Sequence, residues 1–239
     1  MVSKPKTAEM HPGPGFRVCA VAPRPDADVV AGLAAFDTPT ISDLMNRLYA
    51  MNSALQPMTD PELRLVGPAC TVKVFPGDNL MVHKSLDIAR PGDVIVVDAS
   101  SSSMTAVLGD LVSQKARHRG VAGFVVDGLI RDLPGILGLR DFPVYARGLT
   151  PIGPLHRGPG EVNHPVSVGG VVVHPGDVIV ADRNGIVVVP IEGSRDVLER
   201  LRSRSASEAA YLATVARGEF SNDWVDDALR EAGVAFDGG

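Results

Sequence analysis

Asp110 and the pair Arg131-Asp132 are separated by twenty residues, with Gly109 before the first and Gly128 shortly before the second. An arginine fork can grip a carboxylate through two parallel N–H donors. An aspartate oxygen suits a hard divalent cation. The intervening pattern reads helix, turn, strand, turn, ending in Gly123-Phe124-Val125-Val126-Asp127-Gly128-Leu129-Ile130. If that strand ends near the start of the helix, two carboxylates and a guanidinium meet at one edge of a sheet, where ligands of open α/β sheets gather. Such a set suits chemistry on a small 2-oxo acid.

Each piece also has a plainer reading. Asp110 follows Gly109 where a helix starts, which leaves the Leu111 and Val112 amides free for an anion; an ordinary capping carboxylate sits in the same place. Arg131-Asp132 taken alone reads more readily as a surface ion pair, worth little. Asp127 could be a third site carboxylate, but it precedes a glycine and a turn-shaping role is favoured. Asp78 is expected to cap the helix opened by Gly77-Asp78-Asn79, with capping favoured over ligand contact for Asn79. Either of His83 and Lys84, one turn on, could face a pocket, with an exposed helix face favoured.

The elements that must position these residues follow from periodicity. Helices are expected over 26–35, 40–48, 79–89, 105–119, 131–139, 194–216 and 224–232. Strands are expected over 65–75, 94–97, 121–126, 144–146, 166–173, 178–181 and 186–189. Val107/Leu111 and Leu108/Val112 supply the i, i+4 pairs behind the 105–119 helix. Five prolines (Pro5, Pro12, Pro14, Pro23 and Pro25) mark residues 1–25 as a loose or surface-draped arm. Residues 26–193 form the α/β catalytic domain of this reading, and 194–239 a C-terminal helical extension for oligomer contacts. Pro91-Gly92-Asp93-Val94-Ile95-Val96-Val97-Asp98 is echoed by Pro175-Gly176-Asp177-Val178-Ile179-Val180-Ala181-Asp182. Pro-Gly at the centre suits a type II turn feeding a strand in both. Helix–strand alternation to about residue 146, then consecutive strands, predicts an α/β layer joined to a β layer.

Composition narrows the function classes. At 45% hydrophobic content but only 5% aromatic, the core must be aliphatic, as in sheets covered by helices. A net charge of −5 with no Lys/Arg-rich run argues against nucleic acid. Cys19 and Cys70 form neither C-x-x-C nor a disulfide framework. No apolar run approaches the ~18 residues of a spanning helix, and the start lacks a signal-peptide core, so a cytoplasmic protein without membrane partners is expected. Phosphate-loop, dinucleotide-fold, nucleophile-elbow and H-E-x-x-H motifs are absent, and the six histidines do not pair at metal-ligand spacing.

Taken together, Val66-Gly67-Pro68-Ala69, Gly77-Asp78-Asn79, Pro91-Gly92-Asp93, Gly109-Asp110-Leu111, Asp127-Gly128-x-x-Arg131-Asp132, 143–148 and Asn184 to Pro190 resemble the 4-hydroxy-4-methyl-2-oxoglutarate aldolase family, which includes the regulators of ribonuclease activity A. The resemblance runs from about Thr40 to the C-terminus. It implies a β/β/α swivelling-type single domain with C-terminal helices, assembled as a homotrimer or homohexamer with sites between subunits. It implies Mg²⁺ or Mn²⁺ held by Asp132, with Asp110 acting through water and Glu208 of a neighbouring subunit also acting through water (Glu219 is the second choice). Pyruvate's carboxylate would rest on Arg131 and on the Gly109-Asp110-Leu111-Val112 turn through the Leu111 and Val112 amides. The implied activity is metal-dependent cleavage of a 4-hydroxy-2-oxo acid to pyruvate, with oxaloacetate decarboxylation on the side. A non-catalytic regulator that binds a ribonuclease or another protein is the alternative, though the regulators typically lose the acid after the arginine, which is present here as Asp132. Ser100-Ser101-Ser102-Ser103-Met104 stands where relatives are glycine-rich, which is expected to alter the distal part of the substrate site.

Overall fold

Strands buried on both faces need apolar residues at consecutive positions, not alternate ones, and four such strands lie side by side here. The structure, a computed structural model, describes residues 9–235, leaving out the side chains of 205–209. In chain order the elements are β1 (Phe16–Val18), α1 (Ala27–Leu33), α2 (Thr38–Leu44), β2 (Gln56–Pro57), β3 (Leu65–Val74), α3 (Leu80–Ile88), β4 (Val94–Asp98), β5 (Ala106–Leu108), α4 (Asp110–His118), β6 (Gly123–Ile130), α5 (Leu133–Leu137), β7 (Val144–Leu149), β8 (Gly160–Val162), β9 (Val166–Val168), β10 (Val171–Val173), β11 (Val178–Asp182), β12 (Gly185–Val189), α6 (Ser194–Ala216) and α7 (Asp223–Glu231). The chain divides into two compact units, Met1–Glu199 and Arg200–Gly239.

In the first unit β3, β4, β6 and β7 are neighbours and parallel. Side chains of a strand alternate between faces, and the sheet uses both. Val72, Ile95, Val97, Phe124 and Val126 pack with Val82 and Leu86 of α3, Ala116 of α4 and Ile136 of α5. Val94, Val96, Val125 and Tyr145 pack with Val166, Val168, Val171 and Val173 of the β9–β10 hairpin and with Ile179 and Val188. Helices, sheet and a second β layer thus give the β/β/α order, a mixed α/β fold as expected. Among the described residues no helix is long and apolar enough to cross a membrane.

The two echoed segments form the same turn. Asp93 N donates to Arg90 O at 3.0 Å and Asp177 N to His174 O at 3.1 Å. The central glycines have φ of +86° and +90°, as a type II turn requires. The turns feed β4 and β11, and both strands pair with β3.

Three expectations are corrected. Residues 105–119 are not one helix: β5 pairs with the end of β6 before the chain turns at Gly109 into α4. All three β5 residues are buried, and so short an apolar run shows no period. Residues 166–173 form a hairpin that turns at Gly169-Gly170, both with positive φ. Within the proline-rich arm, β1 joins the sheet edge beside β8, where Gly15 N and Arg17 Nε each reach Glu161 Oε1 at 2.7 Å. The second unit contains the rest of α6 from Arg200 and all of α7, with Tyr211, Leu212 and Trp224 exposed.

Candidate active site

The pairing of β5 with β6 brings the expected residues together. Leu108 aligns with Ile130, and Arg131 N donates to Leu108 O at 3.0 Å. Gly109, the next residue, therefore faces Arg131 and Asp132. The chain then leaves β5 into α4, so that Asp110 occupies the first turn of a helix starting at the same edge. Gly109, Asp110, Leu111, Val112, Arg131 and Asp132 all line one pocket, with Asn79, His83, Leu108, Lys115, Pro154 and His156.

Each charged member of the expected triplet lies against a glycine. A Cβ on Gly109 would stand 2.4 Å from Asp132 Oδ2, one on Gly135 2.6 Å from Asp110 Cβ, and one on Gly153 2.4 Å from Arg131 Nη1. None of the three glycines has the left-handed φ that would by itself demand glycine, so what they supply is room. Asp132 does have left-handed backbone, with φ of +56° and ψ of +38°, a conformation that, glycine aside, short polar residues tolerate best.

The Arg131 Nε lies 3.2 Å from Asp132 Oδ2, with both side chains about half exposed. Asp110 Oδ1 accepts from the Leu111 amide at 2.7 Å, so one of the amides expected to hold a substrate carboxylate is engaged by the neighbouring side chain. His83 has its pKa below the usual histidine range: burial is the main cause, followed by the charges of His156 and Lys115.

Asp110 and Asp132 offer carboxylate oxygens in one half-open pocket, while no group of three or more His, Cys, Asp or Glu that could hold a metal occurs among the described residues. That donor set fits a hard cation of the Mg²⁺ type, which keeps most of its waters and takes only one or two carboxylates; it does not fit a closed zinc site. The side chain of Glu208 lies outside the described residues. Glu219 is described, and pairs with Arg217 at 2.7 Å.

Several residues fall elsewhere than expected. Asn79 and His83 face the pocket, where capping and an exposed helix face were the favoured readings. Asp78 does serve the helix start, accepting from Leu80 N at 2.8 Å. Asp127 is buried within β6 and shapes no turn there. Burial pushes its carboxyl up, but bonds from Arg147, Gly169 N and Ser101, with the Arg147 charge, outweigh burial and hold it below the usual range. Ser100 and Ser101 line a different hollow, with Lys73, Asp98, Asp127 and Arg147. The serine run therefore does not line the Asp110–Arg131 pocket; the alternation of β4 and β6 side chains places these charges on the hairpin face.

Comparison with known proteins follows the same lines. A family model described as RraA-like, Aldolase/RraA, matches residues 38–188. A protein of Halalkalibacterium halodurans named putative 4-hydroxy-4-methyl-2-oxoglutarate aldolase is 40% identical over 185 residues, covering 77% of this chain and 87% of its own. Among solved structures, Streptomyces coelicolor RraAS2, described as an unusual member of the RNase ES inhibitor RraA family, superposes with a TM-score of 0.70 at 30% identity, covering 79% of this chain and 98% of that one. An uncharacterized protein from Pseudomonas syringae pv. tomato gives a TM-score of 0.72 at 26% identity, covering 83% and 96%.

Proposed function

The chain belongs to the RraA-like family, and from that premise we propose that it is a divalent-metal-dependent pyruvate aldolase, which cleaves 4-hydroxy-4-methyl-2-oxoglutarate or a related 4-hydroxy-2-oxo acid. The family brings together proteins named as aldolases and proteins named as ribonuclease inhibitors, so membership alone leaves both readings open. The convergence of Asp110, Arg131 and Asp132 on one pocket, each seated against a glycine, carries the catalytic one.

Mg²⁺ or Mn²⁺, held directly by Asp132 and through water by Asp110, would supply Lewis acidity toward the 2-oxo acid. The chain's own residues do the rest. Arg131 binds the carboxylate beside the keto group and balances the charge that develops as the C3–C4 bond breaks, in the manner of preorganised donors. Asp110, through a water, takes the proton of the C4 hydroxyl. The bonding electrons remain on the pyruvyl fragment as an enolate, and protonation at C3 releases pyruvate. Oxaloacetate decarboxylation generates the same enolate and is part of the proposal as a side activity.

Purified protein with Mg²⁺ is expected to release pyruvate from 4-hydroxy-4-methyl-2-oxoglutarate, followed by a coupled lactate dehydrogenase assay. No release from this or related hydroxy-oxo acids, together with retention of a ribonuclease in a pull-down by wild type and Asp132→Asn alike, would favour the regulator. Lys115 lines the pocket, so a lysine Schiff base is the second enzymatic reading. Borohydride with pyruvate is expected to leave the protein mass unchanged, and a stable adduct on Lys115 would replace the metal mechanism.

The C-terminal helices and the segment joining them expose Tyr211, Leu212, Phe220 and Trp224, and exposed apolar patches mark interaction sites. We propose that they pack on a neighbouring subunit and bring Glu208 to its site. Light scattering is expected to give a trimer or hexamer; a fully active monomer would remove Glu208 from the site.

A further inference from the structure

One wall of the pocket is stitched together from two distant segments. Leu155 N donates to Gly77 O at 2.8 Å and Asn79 N to Leu155 O at 3.0 Å, while Arg157 N reaches Asp78 Oδ2 at 2.5 Å. Two main-chain bonds at Leu155 and one to the Asp78 carboxylate at Arg157 thus fix the residues on either side of His156. Its Nδ1 lies 2.6 Å from Asn79 Oδ1, and Asn79 Nδ2 lies 2.8 Å from the Val107 carbonyl oxygen.

The direction of this chain of bonds follows from what each atom can do. A carbonyl oxygen only accepts, so the nitrogen end of the Asn79 amide must face Val107. The oxygen end then faces the imidazole, and it too only accepts, so Nδ1 carries the hydrogen. In the neutral ring the lone pair is therefore on Nε2. The imidazolium makes the same bond to Asn79, so the ring can gain and lose a proton at Nε2 without releasing its anchor. His156 is solvent-accessible, which lets water reset it.

A second ring and four charged groups share the pocket with His156. His83 from α3 stands 5.4 Å away, centroid to centroid, edge to face. Burial, then the charges of His156 and Lys115, hold its pKa down. Lys115 and Asp110 line the pocket from α4, and Arg131 and Asp132 from the end of β6.

We propose that Asn79 positions His156 as a proton-transfer residue of this pocket, and that His156 Nε2 delivers the proton to C3 of the pyruvate enolate. This rests on the aldolase reading above. The electron pair left by the C3–C4 bond takes the Nε2 proton and becomes the new C3–H bond. The hydroxyl proton removed through Asp110 passes to solvent, and solvent returns one to Nε2, so no proton is consumed.

Two measurements separate this step from the parent reading. Nitrogen-15 NMR of the labelled protein, at a pH where the ring is neutral, is expected to show His156 as the Nδ1–H form, a preference that Asn79→Ala abolishes; an Nε2–H ring in wild type overturns the proposal whatever the activity. Deuterium entry into the pyruvate methyl group in D₂O reports the C3 step alone. His156→Gln is expected to slow it and kcat together by ~10²-fold or more, within the range of general acid–base catalysis, with pyruvate inhibition little changed. Asn79→Ala is expected to shift the pH profile of exchange, and Asn79→Gln to restore part of it. A folded His156→Gln, checked by circular dichroism, that exchanges at the wild-type rate sinks the role of His156 and leaves the aldolase standing. A wild type that neither exchanges nor cleaves sinks both.

Discussion

Asp132→Asn is expected to lower pyruvate release by more than the roughly 10–100-fold that follows loss of a residue merely supporting a metal ligand, with the fold intact. Asparagine is the informative replacement because Asp132 sits at φ of +56°. Asparagine tolerates that conformation, whereas alanine there adds about 1–2 kcal/mol of backbone strain and would confuse lost chemistry with lost stability. The carboxylate is about half exposed and pairs with Arg131, so no buried charge is stranded by neutralising it. Calorimetric titration with Mn²⁺ should show weakened binding in parallel with the lost turnover. Chelator should silence wild type, and Mg²⁺ or Mn²⁺ should restore it. Turnover undiminished by chelator would remove the metal from the mechanism.

Arg131→Lys and Asp110→Asn are expected to fail in different ways. Lysine keeps the charge but not the planar, two-pronged donor, so KM should rise and kcat fall together. Inhibition by pyruvate should weaken as well. Asp110→Asn keeps the size and leaves the Arg131 guanidinium in place, so pyruvate should inhibit almost as before while kcat falls steeply. The amide oxygen of the asparagine can still accept from Leu111 N, as Asp110 Oδ1 does at 2.7 Å. A loss of kcat in this variant therefore reports lost proton chemistry. If kcat is unaffected, Asp110 is a helix-start residue and nothing more.

The sequence shows some of this plainly and hides the rest for identifiable reasons. The runs Val94–Asp98 and Gly123–Ile130 announce buried strands because nearly every position is apolar, and the turn glycines of the echoed segments declare their own geometry. β5 is invisible in advance: three apolar residues have no period, and the pairing that makes them a strand comes from Leu129 and Ile130, beyond an intervening helix. Asp127 looks like a turn residue because Gly128 follows it, but its environment is decided by Arg147 and Gly169, brought up by other strands. The triplet Asp110, Arg131 and Asp132 is legible because its spacing matches one helix and one strand. His156 is not, because it sits in a stretch of prolines and glycines and its partner Asn79 is 77 positions away.

The three glycines that border the charged triplet change what it means for a relative to have kept the site. Any methyl group at 109, 135 or 153 would intrude to within 2.4–2.6 Å of a neighbouring atom of the triplet. Two of these atoms, Asp132 Oδ2 and Arg131 Nη1, end half-exposed side chains, so alanine at 109 or 153 would displace the charge rather than the backbone. The vacant volume is inherited information as surely as the carboxylates are, and it leaves no reactive group to look for. Judging the site on Asp110, Arg131 and Asp132 alone therefore leaves out three positions defined by the absence of a side chain.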